Sequence, residues 1–197
     1  MEAIMAQSSG EAQKGYLTGQ LLIAMPSMTD SRFARTVIYM CVHNESGAMG
    51  IVLNKLLKEI SFSQLLAQFE ISTNSGLIHR DIHFGGPVEQ GRGFVLHSDE
   101  YNRDGTVMVS DGIALTATLD VLKNIAAGDG PQASLLALGY AGWTASQLEN
   151  ELQANAWLTV PADPDLVFDA NFSTKWERAM AKLGIDRNFL STEAGHA

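Results

Sequence analysis

The first half of the chain consists of short apolar runs separated by turn-forming residues, a pattern that predicts strands joined by tight connections. Within "FARTVIYMCVH" (33–43), the alternation predicts one strand face made of Val37, Tyr39, Cys41 and His43. "NESG" (44–47) predicts a hairpin to the next strand. This half predicts strands at 16–25, 33–43, 48–54, 81–84, 93–97 and 106–109, and one helix at 61–69 capped by Ser61.

The second half shows the three-to-four-residue spacing of amphipathic helices. One helix is predicted from about Thr116 to Ala127, with Gly128 ending it. Capping-box patterns at Thr144–Gln147 and Thr174–Glu177 predict the starts of two more. Strands at 133–140 and 156–160 separate these helices, and "PADPD" (161–165) is predicted to be a polar link.

These patterns predict a mixed, mainly antiparallel sheet with helices packed outside it, an α/β protein in the α+β sense. A chain of 197 residues, 46% of them hydrophobic, is long enough to bury one sizeable core. Because no linker divides the chain, we expect a single domain at 16–197 and a flexible N-terminal tail at 1–15.

The charge of the chain narrows the range of partners. The formal net charge is −9, and residues 99–197 hold fourteen Asp and Glu against six Lys and Arg. DNA affinity comes largely from Lys and Arg that neutralise phosphates, so direct nucleic-acid binding is disfavoured. A local basic patch is the alternative, and its candidates are Arg32, Arg35, Lys55 and Lys58.

Cysteine usage and hydropathy indicate the compartment. The chain has one cysteine, Cys41, so it cannot form an intrachain disulfide, which is typical of a reducing environment. The start, "MEAIMAQSSGEAQKG", lacks the basic and apolar regions of a signal peptide. No apolar run approaches the roughly 20 residues of a membrane span. We expect a cytoplasmic protein that does not enter the membrane.

A glycine-rich stretch, "HFGGPVEQGRGFVLHS" (83–98), is the most distinctive part of the sequence. It matches neither the dinucleotide-binding nor the P-loop pattern. The favoured interpretation is a tight corner, in which Gly85 or Gly86 supplies a positive φ and Pro87 fixes its own φ. The alternative is a backbone nest that accepts a small anion, with Arg92 as the counter-charge.

Groups that could act as nucleophiles are scattered. His97 and Ser98 are neighbours on a predicted strand and therefore point to opposite faces. Cys41 and His43 could share a face, but the apolar run around Cys41 favours an inert, buried thiol. We expect no catalytic residues and favour a protein that is not an enzyme.

Metal ligands are also hard to assemble from this sequence. His79 and His83 are four residues apart, which on a helix would suit a metal ion. The surrounding "LIHRDIHFGG" indicates a loop or strand, where that spacing has no such meaning. We expect no metal and no cofactor.

Polar residues at predicted strand ends suggest a ligand site instead. Arg35 lies in a predicted apolar strand, and a buried arginine needs a partner such as Asp111 or Asp120. A structural salt bridge is the favoured interpretation, and a ligand-facing arginine is the alternative. The candidate ligand-binding residues are Arg35, Asn44, Asn54, Gly85, Gly86, Arg92 and Asp111.

Several long blocks, taken in order, resemble the YqgE/AlgH family of bacterial proteins. They are "LTGQLLIAMPSMTDSRFARTVIYMCVHNESGAMGIVLNK", "HFGGPVEQGRGFVLHS", "SDGIALTATLDVL", "LLALGYAGWTASQLENELQANAWLTVPAD" and "LSTEAGHA". The resemblance implies a single domain whose bifurcated mixed sheet curls into a partial barrel with helices outside. It also implies a role in regulating gene expression, and it brings no established catalytic residues.

We therefore expect a cytoplasmic, non-catalytic regulatory or protein-interaction protein whose partner is another protein. An acidic chain without a helix-turn-helix signature should not bind DNA unaided, so a role in transcription would run through that partner. The alternative is a small-ligand-binding protein or an enzyme, with a site near Arg35, Gly85–Pro87 and Asp111.

Overall fold

The strands and helices follow the predicted order with two additions. In the computed structural model, which describes residues 16–72 and 80–185, the strands are β1 (Gln20–Ala24), β2 (Val37–Asn44), β3 (Gly47–Val52), β4 (Ile82–Phe84), β5 (Val88–His97), β6 (Thr106–Ser110), β7 (Ile113–Thr116), β8 (Ser134–Thr144) and β9 (Trp157–Pro161). The helices are α1 (Phe62–Gln68), α2 (Leu119–Ala127), α3 (Gln147–Gln153), α4 (Pro164–Phe168) and α5 (Lys175–Ala181), with a 3-10 turn at Phe172–Thr174. The additions are β7 and α4.

These strands join one sheet, and β8 is the strand that splits it. The order is β6-β7-β5-β8-β3-β2-β1-β9 with antiparallel neighbours, and β4 pairs parallel to β8 outside this path. Over Ser134–Leu138, β8 pairs with β5 and β4, whereas over Ala141–Thr144 it pairs with β3. This change of partner makes the sheet bifurcated, and the sheet curls into a half-barrel. The predicted fold class is confirmed.

The half-barrel divides the core into three parts. An interior core fills its inside, with Tyr39 and Phe94 among its fully buried side chains. The helices α1 and α2 cover part of the outside, where Leu66 and Leu122 pack on the sheet. The helix α3 covers a separate part of the outside through Leu148.

The C-terminal helices α4 and α5 close the interior core. Trp176 on α5 is 4% exposed, and its indole N–H donates to the carbonyl of Ala24 at 2.9 Å. The buried ammonium of Lys175 donates to the carbonyls of Leu166 and Val167 at 2.7 and 2.8 Å. These carbonyls belong to the last turn of α4, where backbone acceptors have no partner within the helix. Burial lowers the pKa of the Lys175 ammonium to about 8.

The elements that the prediction misses follow from local signals. Asp111 and Gly112 connect β6 to β7, and Ser110 pairs with Ile113 across that turn. An Asp-Gly pair between strands is a hairpin signal, and the helix predicted from about Thr116 begins only at Leu119. The segment predicted as a polar link contains α4.

The start of α4 has an ordinary cap. The carboxylate of Asp163 accepts the N–H of Leu166 at 2.7 Å, and Pro164 occupies the first helical position. Both features are typical of a helix N-terminus. The "PADPD" segment therefore carries a helix start that its polar composition hides.

The three predicted N-terminal caps have different outcomes. Ser61 caps α1 through a complete capping box with Gln64, as predicted. The second start is displaced, because Thr144 is the last residue of β8 and Ser146 precedes α3 without a side-chain cap, although the Gln147 side chain accepts the N–H of Thr144 at 3.0 Å. The third helix starts directly after Thr174 as predicted, but the side chain of Thr174 makes no capping bond.

A bulge in β2 overturns one predicted strand face. The register against β3 shifts between Met40 and Val42, so Cys41 and Val42 both lie in the interior core. His43 lies on the other side, where its Nε2 is 3.0 Å from the carboxylate of Glu149 on α3. One extra residue reverses the side of every residue after it, so Cys41 and His43 do not share a face.

Candidate functional site

The glycine pair Gly85–Gly86 packs directly against the backbone of β8. The N–H of Gly85 donates to Leu138 at 2.8 Å, and its carbonyl accepts from Val52 at 2.9 Å. A Cβ at Gly85 would lie 2.1 Å from the carbonyl oxygen of Gly139, and one at Gly86 would lie 2.1 Å from a backbone carbon of β8. This geometry fits a corner formed by close backbone approach, in which the Gly85 N–H is already used.

Arg35 does not lie in a strand, and the expectation that it is buried is wrong. It occupies the turn before β2 with φ 54°, and its side chain is 61% exposed. The guanidinium lies 4.6 Å from the ring centre of Trp176 and pairs with Glu177. The salt bridge predicted for this residue exists, but its partner is Glu177 and not Asp111 or Asp120.

Asn54 ties the start of β2 to the turn before it. Its amide oxygen accepts the N–H of Val37 at 2.9 Å, and its amide nitrogen donates to the carbonyl of Arg35 at 2.8 Å. Both ends of the side chain are therefore engaged by the backbone. This role is structural in the present arrangement.

The other candidate ligand-binding residues lie in separate places. Asn44 accepts the N–H of Ser46 at 2.9 Å in the β2–β3 hairpin. Arg92 pairs with Glu89 at 3.2 Å, and Asp111 lies exposed in the β6–β7 turn. Among the seven candidates, the hydrogen bond between Asn54 and Arg35 is the one that joins two of them within residues 16–72 and 80–185. The structure does not bring the set together in a shared pocket.

The side chains considered as nucleophiles do not contact the neighbouring histidines. Burial raises the pKa of the Cys41 thiol far above its ordinary value. Nε2 of His97 lies 2.8 Å from the hydroxyl of Thr116, and its Nδ1 lies 2.9 Å from the carbonyl of Ser98. The hydroxyl of Ser98 instead donates to the carboxylate of Glu100 at 3.0 Å and contacts the backbone of Ala133.

His83 is a buried histidine with one unused nitrogen. The residue is 3% exposed; Nδ1 lies 3.2 Å from the carbonyl of Leu136, and Nε2 has no hydrogen-bond partner. Burial lowers the pKa of His83 to about 4, and the nearby cation of Lys175 acts in the same direction. His79, its predicted ligand partner, lies outside the described residues.

This histidine predicts a loss of stability in mild acid. The unfolded chain binds a proton at His83 below about pH 6.5, whereas the folded chain does so only near pH 4. The free energy of unfolding therefore falls as the pH is lowered from about 6.5 to about 4. From pH 7 to pH 5 we expect the wild type to lose about 2 kcal/mol more unfolding free energy than His83→Gln. Urea titrations at both pH values measure this difference, and parallel losses in the two proteins would contradict it.

An apolar groove lies between α1 and α2 on the outer face of the sheet. Its walls are Leu65 of α1 and Phe69 at the C-terminal end of that helix, with Leu119 and Leu122 from α2, and its volume is about 50 Å³. The floor is formed by residues of β5 and β8, namely Gly91, Gly93, Val95, Leu136 and Leu138. At the rim, Phe69 is 41% exposed and Leu119 is 44% exposed. We call this cavity the α1–α2 groove.

Two glycines keep the floor of the groove open. Gly91, Gly93 and Val95 all line this floor, and the pairing of β5 with β8 shifts register between Val88 and Gly93. Neither glycine has the left-handed φ that would require a glycine. A Cβ at Gly91 would meet nothing within 4 Å, and one at Gly93 would meet only Leu138, at 3.9 Å. Larger side chains would fit the backbone here but would fill the groove.

An acidic cleft adjoins the groove at the start of α2. Its lining includes Asp104, Asp120, Asp129 and Tyr101, and Thr118 lines both the cleft and the groove. The Thr118 methyl packs over Gly105, where a Cβ would approach it to 2.6 Å. The groove and the cleft therefore form one continuous surface with an apolar and an acidic part.

Sequence reasoning missed this surface. Gly91 and Gly93 bracket Arg92 in the glycine-rich stretch, but the sequence predicts no role for them. The usable signal is glycine within a strand that also carries Val95, because such a glycine often marks a bulge or a place that a ligand approaches closely. The walls could not be found, since they come from helices far apart in the sequence.

Residues 16–72 and 80–185 contain neither a membrane-spanning helix nor a cluster of metal-ligating side chains. No helix there is long and apolar enough to cross a membrane. No group of three or more His, Cys, Asp or Glu side chains in the described chain is placed to hold a metal ion.

Comparison with known proteins points to one family. The DUF179 model, described as AlgH-like, matches residues 21–188. A UPF0301 protein of Beijerinckia indica is 52% identical over the full length of both chains, and one of Rhodospirillum rubrum is 54% identical over 95% of this chain and 97% of its own.

Solved structures agree with this assignment. The solution structure of the AlgH protein from Pseudomonas aeruginosa is 44% identical, covers 95% of this chain and 100% of its own, and superposes with a TM-score of 0.77. A crystal structure of a Corynebacterium diphtheriae protein is 21% identical, with a TM-score of 0.69 over 92% of this chain and 94% of its own. The second similarity concerns the fold alone.

Proposed function

This chain belongs to the AlgH-like family, and we propose that it is a non-catalytic, cytoplasmic protein that acts by binding another protein in its α1–α2 groove. The observation that carries this proposal is the glycine floor. Gly91 and Gly93 have no conformational reason to be glycine, yet their missing side chains leave the groove open. A groove left open by missing side chains is expected at a surface that receives a side chain from another protein.

The composition of the groove supports binding of a protein segment. Phe69 and Leu119 expose apolar surface at the rim, and burying such a side chain completely is worth about 1.5–3 kcal/mol. Clustered aromatic and aliphatic side chains at a concave site are typical of the anchor region of an interface. The cavity volume of about 50 Å³ suits the tip of a single apolar side chain rather than a whole domain.

The charges favour regulation through a protein partner over direct binding to nucleic acid. Among the candidate cations for a nucleic-acid patch, Arg32 pairs with Asp30 and Arg35 pairs with Glu177. Lys55 donates to two backbone carbonyls. Three of the four candidates are therefore engaged, whereas Lys58 is exposed. With the net charge at −9, an effect on transcription would require a partner that contacts the nucleic acid.

Site-specific photo-cross-linking in cells tests the proposal. Benzoylphenylalanine in place of Phe69 is expected to give a discrete cross-linked protein adduct. The same probe in place of Leu183, an exposed apolar residue that does not line the groove, is not expected to give that adduct.

Paired variants make the test specific to the groove. Gly93→Leu fills the floor and should abolish the adduct, whereas Gln90→Leu should retain it, because Gln90 does not line the groove. Thermal unfolding checks that both variants fold. Absence of an adduct at position 69, or an adduct that persists in Gly93→Leu, would contradict the proposed function.

A further inference from the structure

We infer that the segment bound by the α1–α2 groove is basic: it inserts an apolar side chain into the groove and places a Lys or Arg in the adjoining acidic cleft. This inference rests on the proposed function and adds the chemistry of the partner. It depends on the charge of the cleft and on its continuity with the groove.

Three carboxylates line the cleft. Asp104 and Asp129 are exposed, and within residues 16–72 and 80–185 neither has a cation within salt-bridge distance. Asp120 pairs with Lys123 at 2.9 Å, and Arg103, which also lines the cleft, lies over the ring of Tyr101. The lining therefore holds three carboxylates and one guanidinium. Over residues 99–129 the chain has six Asp and Glu against two Lys and Arg. This surface favours a cationic ligand and opposes an anionic one.

The apolar and acidic parts are close enough to be contacted by one short segment. Leu119 lines the groove and the next residue, Asp120, lines the cleft, while Thr118 lines both. A bound segment with its apolar side chain against Leu119 therefore has the cleft within reach of a cation a few residues away. An amphipathic segment with alternating leucine-type and lysine-type residues meets both requirements.

Selection from a display library of random twelve-residue peptides tests the inference without assuming a sequence. The library is first depleted on Gly93→Leu and then selected on the wild-type protein at low salt. We expect recovered peptides to contain at least one large apolar residue and an excess of Lys and Arg over Asp and Glu of about threefold or more relative to the starting library.

A second measurement links the charge preference to the cleft. A recovered basic peptide should bind the double variant Asp104→Asn, Asp129→Asn about three- to tenfold more weakly than the wild type, since each exposed charge at the rim makes a modest contribution to affinity. The difference should shrink in roughly 0.5 M salt, where exposed charges are screened. The matched control is Asp165→Asn, an exposed carboxylate that does not line the cleft.

The outcomes separate the inference from the proposed function. Peptides without excess positive charge, or basic peptides that bind the double variant as tightly as the wild type, would overturn the inference and leave the groove as the binding site. Failure to recover any peptide that distinguishes the wild type from Gly93→Leu would count against both. Enrichment of acidic peptides would show that the cleft repels no anion and would overturn the inference alone.

Discussion

Replacing Gly86 by valine is expected to prevent folding at 25 °C. A Cβ at this position would lie 2.1 Å from the carbonyl carbon of Tyr140 and 2.2 Å from its oxygen, so the backbone of β8 would have to move. At that point β8 passes from pairing with β5 to pairing with β3. We expect the loss to approach the whole stability of a typical domain, about 5 kcal/mol or more.

The matched control is Gly91→Ala, five residues further along. A Cβ there meets nothing within 4 Å, and the residue is exposed, so the unfolding free energy should change by less than about 0.5 kcal/mol. Circular dichroism and urea unfolding compare the two variants. A folded Gly86→Val protein with near-wild-type stability would show that the corner does not depend on close backbone approach.

Truncating Trp176 to alanine is expected to cost about 3–5 kcal/mol of unfolding free energy. This indole is the largest side chain that α5 places in the interior core, and its N–H bonds the carbonyl of Ala24 at 2.9 Å. The variant therefore creates a cavity and also leaves a buried carbonyl at the end of β1 without its donor. Chemical denaturation of both proteins measures the difference.

Arg35→Met is the control for that variant. It removes the ion pair with Glu177 and keeps an apolar stem that can lie over Trp176. Exposed pairs contribute about 0–1 kcal/mol, so the expected loss is several times smaller than for Trp176→Ala. Equal losses in the two variants would mean that the arginine, and not the indole, holds α5 in place.

Much of the sheet was predictable because its strands are short, apolar and separated by turn residues. The β2–β3 hairpin and the start of α1 at Ser61 depend on neighbours within a few residues, so local patterns suffice. The strand β7 was missed for a different reason. Its four residues, Ile113–Thr116, continue without a break into a helical pattern, and only the preceding Asp-Gly pair marks the turn.

The alternation of side chains along a strand does not predict the positions of His43 and Arg35. The bulge near Cys41 adds one residue to β2, and alternation gives no sign of such an insertion. Arg35 was assigned to a strand because apolar residues follow it, yet the strand begins two residues later. Both errors move a polar side chain to a different environment and so change its candidate role.

The α1–α2 groove lies beyond what a single sequence predicts. Its floor combines two strands and its walls combine two helices, so the cavity exists only after the sheet has brought them together. The part that the sequence does carry is the pair of glycines in a strand where no turn requires them. That feature became informative once the structure placed Gly91 and Gly93 beside Val95 in the floor of the groove.

The central claim is that the α1–α2 groove is a docking surface kept open by its glycine floor. The most direct test is a titration of the 15N-labelled protein with a peptide recovered by the selection, followed through backbone amide chemical shifts. We expect the largest changes at Gly91, Gly93 and residues 116–119, and their loss in Gly93→Leu but not in Gln90→Leu. Changes confined to the mouth of the half-barrel around α5, or to the β9 edge, would contradict the claim.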